Sequence, residues 1–463
     1  MCEKGGLIID KTGCDIIQSP RCARRHRRVR RSTEEVVLMH IDTKCVQSGY
    51  RPKNGEPRVL PIIQSTTYKY DTAEAMGDLF DLKSDGFFYS RLANPTVDCV
   101  EKKIADLEGG VLAVMTSSGQ AASLFSILNI CKAGDHVISS AAIYGGTFNL
   151  FNKTMRDMGI DFTFVSPDIT VEELDRVFRP ETRCVFGETI SNPSLDVLDI
   201  SLFAADAHRH GVPLIVDNTF ATPVNCRPFE FGADVVTHST TKYMDGHACA
   251  LGGVVVDSGK FDWKASGKFP MLTTPDETYH GIVYTDAFGA AAYGVKLRTH
   301  IMRDIGAMQS PQNAFLLNLG LETLFLRVER HCENAVKVAK YLESRIPDGR
   351  ITWVDYPGLP SYRHPERVSR YLPNGSCGVV SFGVAGGREG AVKFMEALKL
   401  AAIVTHVADA RTCVLHPAST THRQLSDKEL EECGVSPDLI RFSVGIENIE
   451  DILDDISSAL DIL

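Results

Sequence analysis

Apolar residues recur three and four positions apart in VDCVEKKIADLEGG (97–110), and paired glycines end the run. That spacing predicts a helix with a glycine stop. VLAVMTSSGQAASLFSILNIC (111–131) opens as an apolar run, breaks at SSGQ and resumes with helical spacing, so it reads as strand, turn and helix. Short apolar runs at DHVISS (135–140), CVFGETI (184–190), VPLIVDNTF (212–220), ADVVTHS (233–239) and LGGVVVDSG (251–259) predict strands, and ISLFAADAHRHG (200–211) a helix among them. VPLIVDNTF is apolar at almost every position, as strands covered on both faces of a parallel sheet are. Strands alternating with helices predict a doubly wound α/β domain with a mostly parallel sheet.

The pattern changes after about residue 310. A long helical region (313–345) precedes a strand-like GVVSFGV (378–384), and the chain closes on a helical stretch within 443–463. These predict a smaller C-terminal α+β domain. The expected division is an extension at 1–38, an N-terminal arm at 39–100, an α/β domain at 101–308 and a C-terminal domain at 309–463.

Composition narrows the class without naming a function. Hydrophobic residues make up 44% of the 463 and charged residues 23%, ordinary values for a soluble globular protein. No apolar run reaches the ~18 residues of a membrane span. The 13 cysteines form no C-x-x-C pair, which leaves zinc and dithiol readings unsupported and fits reduced thiols in a cytoplasmic protein. A net charge of -10 argues against a general nucleic-acid binder. RCARRHRRVRR (21–31) departs from this with seven arginines and no acid. It offers a nucleic-acid arm or organelle address on one reading, and on the other a disordered or non-native extension ahead of Met39. We take the second as the expectation.

Candidate chemistry lies where open α/β sheets bind ligands, beyond the carboxyl ends of the strands. Asp217 closes PLIVD, and Lys242 follows ADVVT among the hydroxyls of Ser239, Thr240 and Thr241. Ser118, Gly119 and Gln120 follow VLAVMT and open a helix, where free N–H groups and the helix dipole suit a phosphate. Singly these have plainer explanations: a turn former, a solvated lysine, a helix cap. Together they match pyridoxal phosphate, which needs a lysine for its aldehyde, a carboxylate for its ring nitrogen and a phosphate cradle.

The sequence resembles the transsulfuration group of pyridoxal-phosphate enzymes, which includes cystathionine γ-synthase and methionine γ-lyase and has the aspartate-aminotransferase fold (fold type I). The resemblance rests on YSRLANPT (89–96), SSGQAA (117–122), AIYGGT (142–147), VDNTFATP (216–223), HSTTKY (238–243), HPASTTH (416–422) and RFSVGIE (441–447). It implies Lys242 as the Schiff-base lysine and Asp217 as the ring-nitrogen partner. It also implies Ser239, Thr241, Gly119 and Gln120 as the phosphate cradle. Tyr144 would stack on the ring and serve as an acid–base group, and Asn192 would lie near the phenolic oxygen. Arg441 would hold the substrate carboxylate. Tyr89 and Arg91 would reach the phosphate of a neighbouring subunit, which implies at least a dimer and, by family habit, a homotetramer.

Within the group, the long segment 260–309, with FDW, GKFP and PDETYHG, resembles the O-acetylhomoserine sulfhydrylases. That resemblance implies γ-replacement on O-acetylhomoserine by sulfide or methanethiol, giving homocysteine or methionine and acetate. Methionine γ-lyase or cystathionine γ-synthase activity is the alternative, and a catalytically silent, cofactor-binding regulatory protein is the non-enzyme alternative. Three residues depart from the common pattern: Asp245 and Ala408 where glycine is frequent, and His406 where asparagine or serine is.

Overall fold

Side chains of β1 (Leu112–Thr116) alternate between two apolar cores: Ala113 and Met115 enter one, Val114 the other. The same division recurs in β5 (Leu214–Asp217), where Leu214 and Val216 face one core and Ile215 the other. Residues 39–420, 423 and 435–463 are described by this computed structural model, so the arginine-rich extension expected at 1–38 lies outside the described residues. His40–Leu463 form one compact unit.

The larger sheet also contains β2 (His136–Ser140), β3 (Asp161–Val165), β4 (Thr182–Glu188), β6 (Val235–His238) and β7 (Gly253–Asp257). Its order is β1-β7-β6-β5-β4-β2-β3. Only β7 runs against its neighbours; the remaining pairings are parallel. The mostly parallel, doubly wound sheet is therefore present, with helices over both faces. Strand β5 is shorter than the apolar run 212–220 suggests. Asp217 accepts the Thr219 N–H at 2.9 Å, and this local turn ends the strand.

Helix α1 (Pro95–Glu108) starts with proline in its first turn behind an Asn94 cap and stops at Gly109, whose φ of 80° needs no Cβ. Helix α2 (Gly119–Leu128) follows β1 at once, and α3 (Ile200–Arg209) lies between β4 and β5. The single helical region expected over 313–345 is two helices, α4 (Pro311–Glu322) and α5 (Leu324–Ser344), parted at Thr323. Arg327, in the first turn of α5, donates to the Gly320 carbonyl at 2.6 Å and to the Thr323 hydroxyl at 3.2 Å. Its guanidinium thereby satisfies a carbonyl that the break in the helix exposes.

A second sheet, of order β10-β11-β12-β9-β8, is built from β8 (Ile351–Asp355), β9 (Val379–Val384), β10 (Ala402–Ile403), β11 (Cys413–Leu415) and β12 (Leu439–Ser443). Helices α6 (Gly387–Ala397) and α7 (Ile449–Leu460) accompany it. Tyr243, just past β6, accepts the Gly378 N–H at 2.7 Å, and His331 of α5 bonds the Val444 carbonyl at 2.7 Å. These buried contacts carry β12 to the strand ends of the larger sheet.

Candidate active site

The carboxyl ends of β1, β4, β5 and β6, with β12 opposite, surround a cavity of about 220 Å³. Ser118, Gly119, Gln120, Tyr144, Asn192, Asp217, Ser239, Thr241, Lys242 and Arg441 all line it. Strand order explains why: β5 and β6 are neighbours, and the turns after them deliver Asp217 and Lys242 to one rim.

At the turn expected to hold a phosphate, Ser118 caps α2 by accepting the Ala121 N–H at 3.2 Å. The N–H groups of Gly119 and Gln120 precede the helical bonding pattern and remain available for an anion. A Cβ on Gly119 would stand 2.6 Å from the Cβ of Ser239, so only glycine brings the two turns this close. Thr241 holds its own turn by exchanging hydrogen bonds with Gly252, donating to its carbonyl and accepting its N–H, both at 3.1 Å. Ser239 anchors through its N–H to the Thr219 hydroxyl at 2.9 Å.

Lys242 lies in a cation-rich setting. Burial and then the Arg441 guanidinium lower its amine to about 8. Burial likewise lowers Arg441 to about 10. Arg441 donates through Nη1 to Asn192 Oδ1 at 3.3 Å and through Nη2 to the carbonyls of Thr405 and His406 at 3.4 and 3.3 Å. Its Nε is buried and has no hydrogen-bond partner among the described residues. Removal from solvent raises the Asp217 carboxyl above the usual range.

Glu188, at the end of β4, is a cavity residue that the sequence reading did not single out. Its Oε1 accepts the Tyr144 N–H at 2.7 Å and so positions the residue expected over the cofactor ring. Burial and then Asp217 raise its carboxyl well above the usual range. The available signal was its register: it ends the apolar run CVFGE as Asp217 ends PLIVD. Tyr144 is 48% exposed at the cavity mouth. Tyr89 and Arg91 are not part of this cavity. The Arg91 guanidinium sits 5.0 Å over the Tyr89 ring and donates to the Arg303 carbonyl.

These features fit pyridoxal phosphate. A buried amine of lowered pKa, an enclosed carboxylate and two unbonded N–H groups open on one cavity, and Arg441 lines its other side.

Comparison with known proteins agrees. Residues 42–461 match the profile of the Cys/Met metabolism PLP-dependent enzymes. The chain is similar to an O-acetyl-L-homoserine sulfhydrylase of Corynebacterium glutamicum, at 46% identity over 90% of this chain and 95% of that one. It is similar also to a homocysteine synthase of Schizosaccharomyces pombe, at 45% identity over 91% of this chain and 98% of that one. A solved Campylobacter jejuni structure assigned as an O-acetylhomoserine (thiol)-lyase superposes with a TM-score of 0.87 at 34% identity, over 91% of this chain and all of that one. That structure contains N'-pyridoxyl-lysine-5'-monophosphate.

Proposed function

The chain belongs to the Cys/Met metabolism PLP-dependent enzyme family, and from that membership we propose that it replaces the acetate of O-acetylhomoserine with sulfide, giving homocysteine, or with methanethiol, giving methionine. The observation that carries this reading is the convergence of Lys242, Asp217, the Ser118–Gln120 turn and Arg441 on one cavity. Relatives described as homocysteine synthase and O-acetylhomoserine sulfhydrylase, matched over about nine-tenths of the chain, support the substrate.

Pyridoxal phosphate supplies an aldehyde that holds amines covalently and a ring that takes up the electron pair left by a departing proton. Lys242 would hold it, with Asp217 beside the ring nitrogen and Gly119, Gln120, Ser239 and Thr241 at the phosphate. An amine near 8 is free base in part at neutral pH, so Lys242 Nζ can take the α-proton and return it. Arg441 would bind the substrate carboxylate; its planar fork suits two oxygens at once. Tyr144, at the mouth, would face the leaving acetate, and Asn192 would lie near the phenolic oxygen.

Tyr89 and Arg91 would serve the cavity of a neighbouring subunit in a homotetramer. Exposed Val59, Ile62, Phe80 and Tyr89 leave apolar surface on the arm that carries them. Nine cysteines among the described residues are free thiols, which supports a cytoplasmic setting. Among those residues, no helix is long and apolar enough to cross a membrane.

The test crosses O-acetyl-, O-succinyl- and O-phosphohomoserine with sulfide, methanethiol and cysteine. Homocysteine formed from O-acetylhomoserine only when sulfide is present is the expected result. Release of 2-oxobutanoate from methionine alone would reassign the chain to lyase chemistry, and cystathionine from cysteine to a synthase. Borohydride reduction followed by peptide mapping should find the cofactor on Lys242.

A further inference from the structure

Among the described residues, one polar side-chain atom other than its own lies within hydrogen-bond distance of Lys242 Nζ. It is Nδ1 of His406, at 3.5 Å. This imidazole belongs to the loop between β10 and β11, and the loop is held in several places. Arg441 of β12 donates to the Thr405 and His406 carbonyls. Cys413 of β11 donates its thiol to the same His406 carbonyl at 3.3 Å. Ala408 gives its N–H to the Ser443 hydroxyl at 2.8 Å and takes a φ of 64°, a conformation that alanine adopts only when its surroundings enforce it. The ring is thus presented to Lys242 by a segment tied to two strands.

Its protonation state suits an acceptor. Burial and then the Lys242 charge lower the imidazole to about 4, so it is neutral at physiological pH. A neutral imidazole offers one acceptor nitrogen. If Nδ1 accepts, the proton sits on Nε2, which is buried and has no hydrogen-bond partner among the described residues. The other charged or titratable groups acting on the pair are Arg441 of β12, Cys413 of β11, and Asp245 and Asp409 from flanking turns.

We propose that His406 is a positioning residue for Lys242, accepting a hydrogen bond from the lysine ammonium through Nδ1 and holding the amine at the cavity beside Arg441 whenever it is not joined to the cofactor. The proposal rests on Lys242 as the cofactor lysine. The hydrogen bond favours the charged amine and so opposes the burial that depresses it. It also fixes where the proton-bearing nitrogen stands, which matters for a group that must move a proton to and from one carbon.

The experiment labels Lys242 with trace acetic anhydride across a pH series and quantifies the modified peptide by mass spectrometry. It uses the full-length chain freed of cofactor and checked for reloading. His406→Asn keeps an acceptor oxygen, whereas His406→Leu and His406→Met do not. Wild type and His406→Asn should share a labelling midpoint. The Leu and Met variants should fall lower by about one pH unit, since a bond to a charged group is lost. In the loaded enzyme, the Leu and Met variants should lose kcat while KM for O-acetylhomoserine holds. Equal midpoints in all four proteins overturn the proposal. Borohydride trapping of the cofactor on some other residue overturns the assignment of Lys242 instead, and the midpoints remain a separate result.

Discussion

Glu188 and Asp217 stand side by side in register at the carboxyl ends of β4 and β5, two carboxyls on one cavity wall. Two charges there would repel each other in a poorly solvated place. Their surroundings divide the roles. Burial and Asp217 push Glu188 well above the usual range, which makes it the more readily protonated of the two. Burial raises Asp217 too, but it accepts the Thr219 N–H at 2.9 Å and the Thr237 hydroxyl at 3.4 Å, bonds that favour its charged form and offset part of that rise. Glu188→Gln keeps the acceptor for Tyr144 and should change cofactor retention little. Asp217→Asn removes the charge and should weaken retention by about 10- to 100-fold, the worth of one hydrogen bond to a charged group. Equilibrium dialysis of the cofactor checks both. Equal losses in the two variants would mean that Glu188 carries charge.

Among the described residues, Arg441 meets three oxygens at 3.3–3.4 Å, all long, and keeps a buried Nε without a partner. A substrate carboxylate can therefore improve its bonding. Arg441→Lys retains the charge but not the fork. KM for O-acetylhomoserine should rise by about 10- to 100-fold, with kcat changed much less. Steady-state kinetics at saturating sulfide reads this out, and an unaltered KM retires the assigned role.

Much of this was legible because the chemistry and the strand ends coincide. Asp217 and Lys242 each close or follow an apolar run that is a strand, and glycines mark the turns. Other features were not. Strands β11 and β12 are three and five residues long and take their place from pairing with distant partners rather than from local pattern. At the break at Thr323, Arg327 folds back onto Thr323 and Gly320, a contact that apolar spacing does not encode. His406 meets Lys242 across 164 residues, a contact that exists only once β12 has reached the larger sheet.

Gly119 sets the close approach of the α2 start to the turn after β6, where we place the phosphate. A methyl group there would stand 2.6 Å from Ser239 Cβ and 2.9 Å from its Cα, and backbone cannot give way as a flexible side-chain end can. Gly119→Ala should force the α2 start away from the β6 turn and destabilise the chain by about 1–3 kcal/mol. Cofactor affinity should fall with it, and added inorganic phosphate should protect the variant against urea less than it protects wild type. Equal protection by phosphate would place the anion elsewhere.

The buried amine of Lys242 also makes a prediction about stability in the cofactor-free protein. Its value near 8, against 10.5 for an ordinary lysine, means that between these pH values the unfolded chain holds a proton the folded chain has released. Stability contributed by this group therefore rises with pH from about 8 to 10.5, and below 8 the folded state bears the full cost of burying the ammonium. Lys242→Met removes that cost with little change in volume. The variant should be more stable than wild type at pH 7, by about 2 kcal/mol. The advantage should shrink steadily as the pH is raised through this window. Urea midpoints of the cofactor-free proteins at pH 7 and pH 10 measure the difference. Lys296, another buried lysine lowered to about 8, is untouched by the substitution and contributes the same background to both proteins. An advantage independent of pH would show that the gain comes from packing rather than from the buried charge.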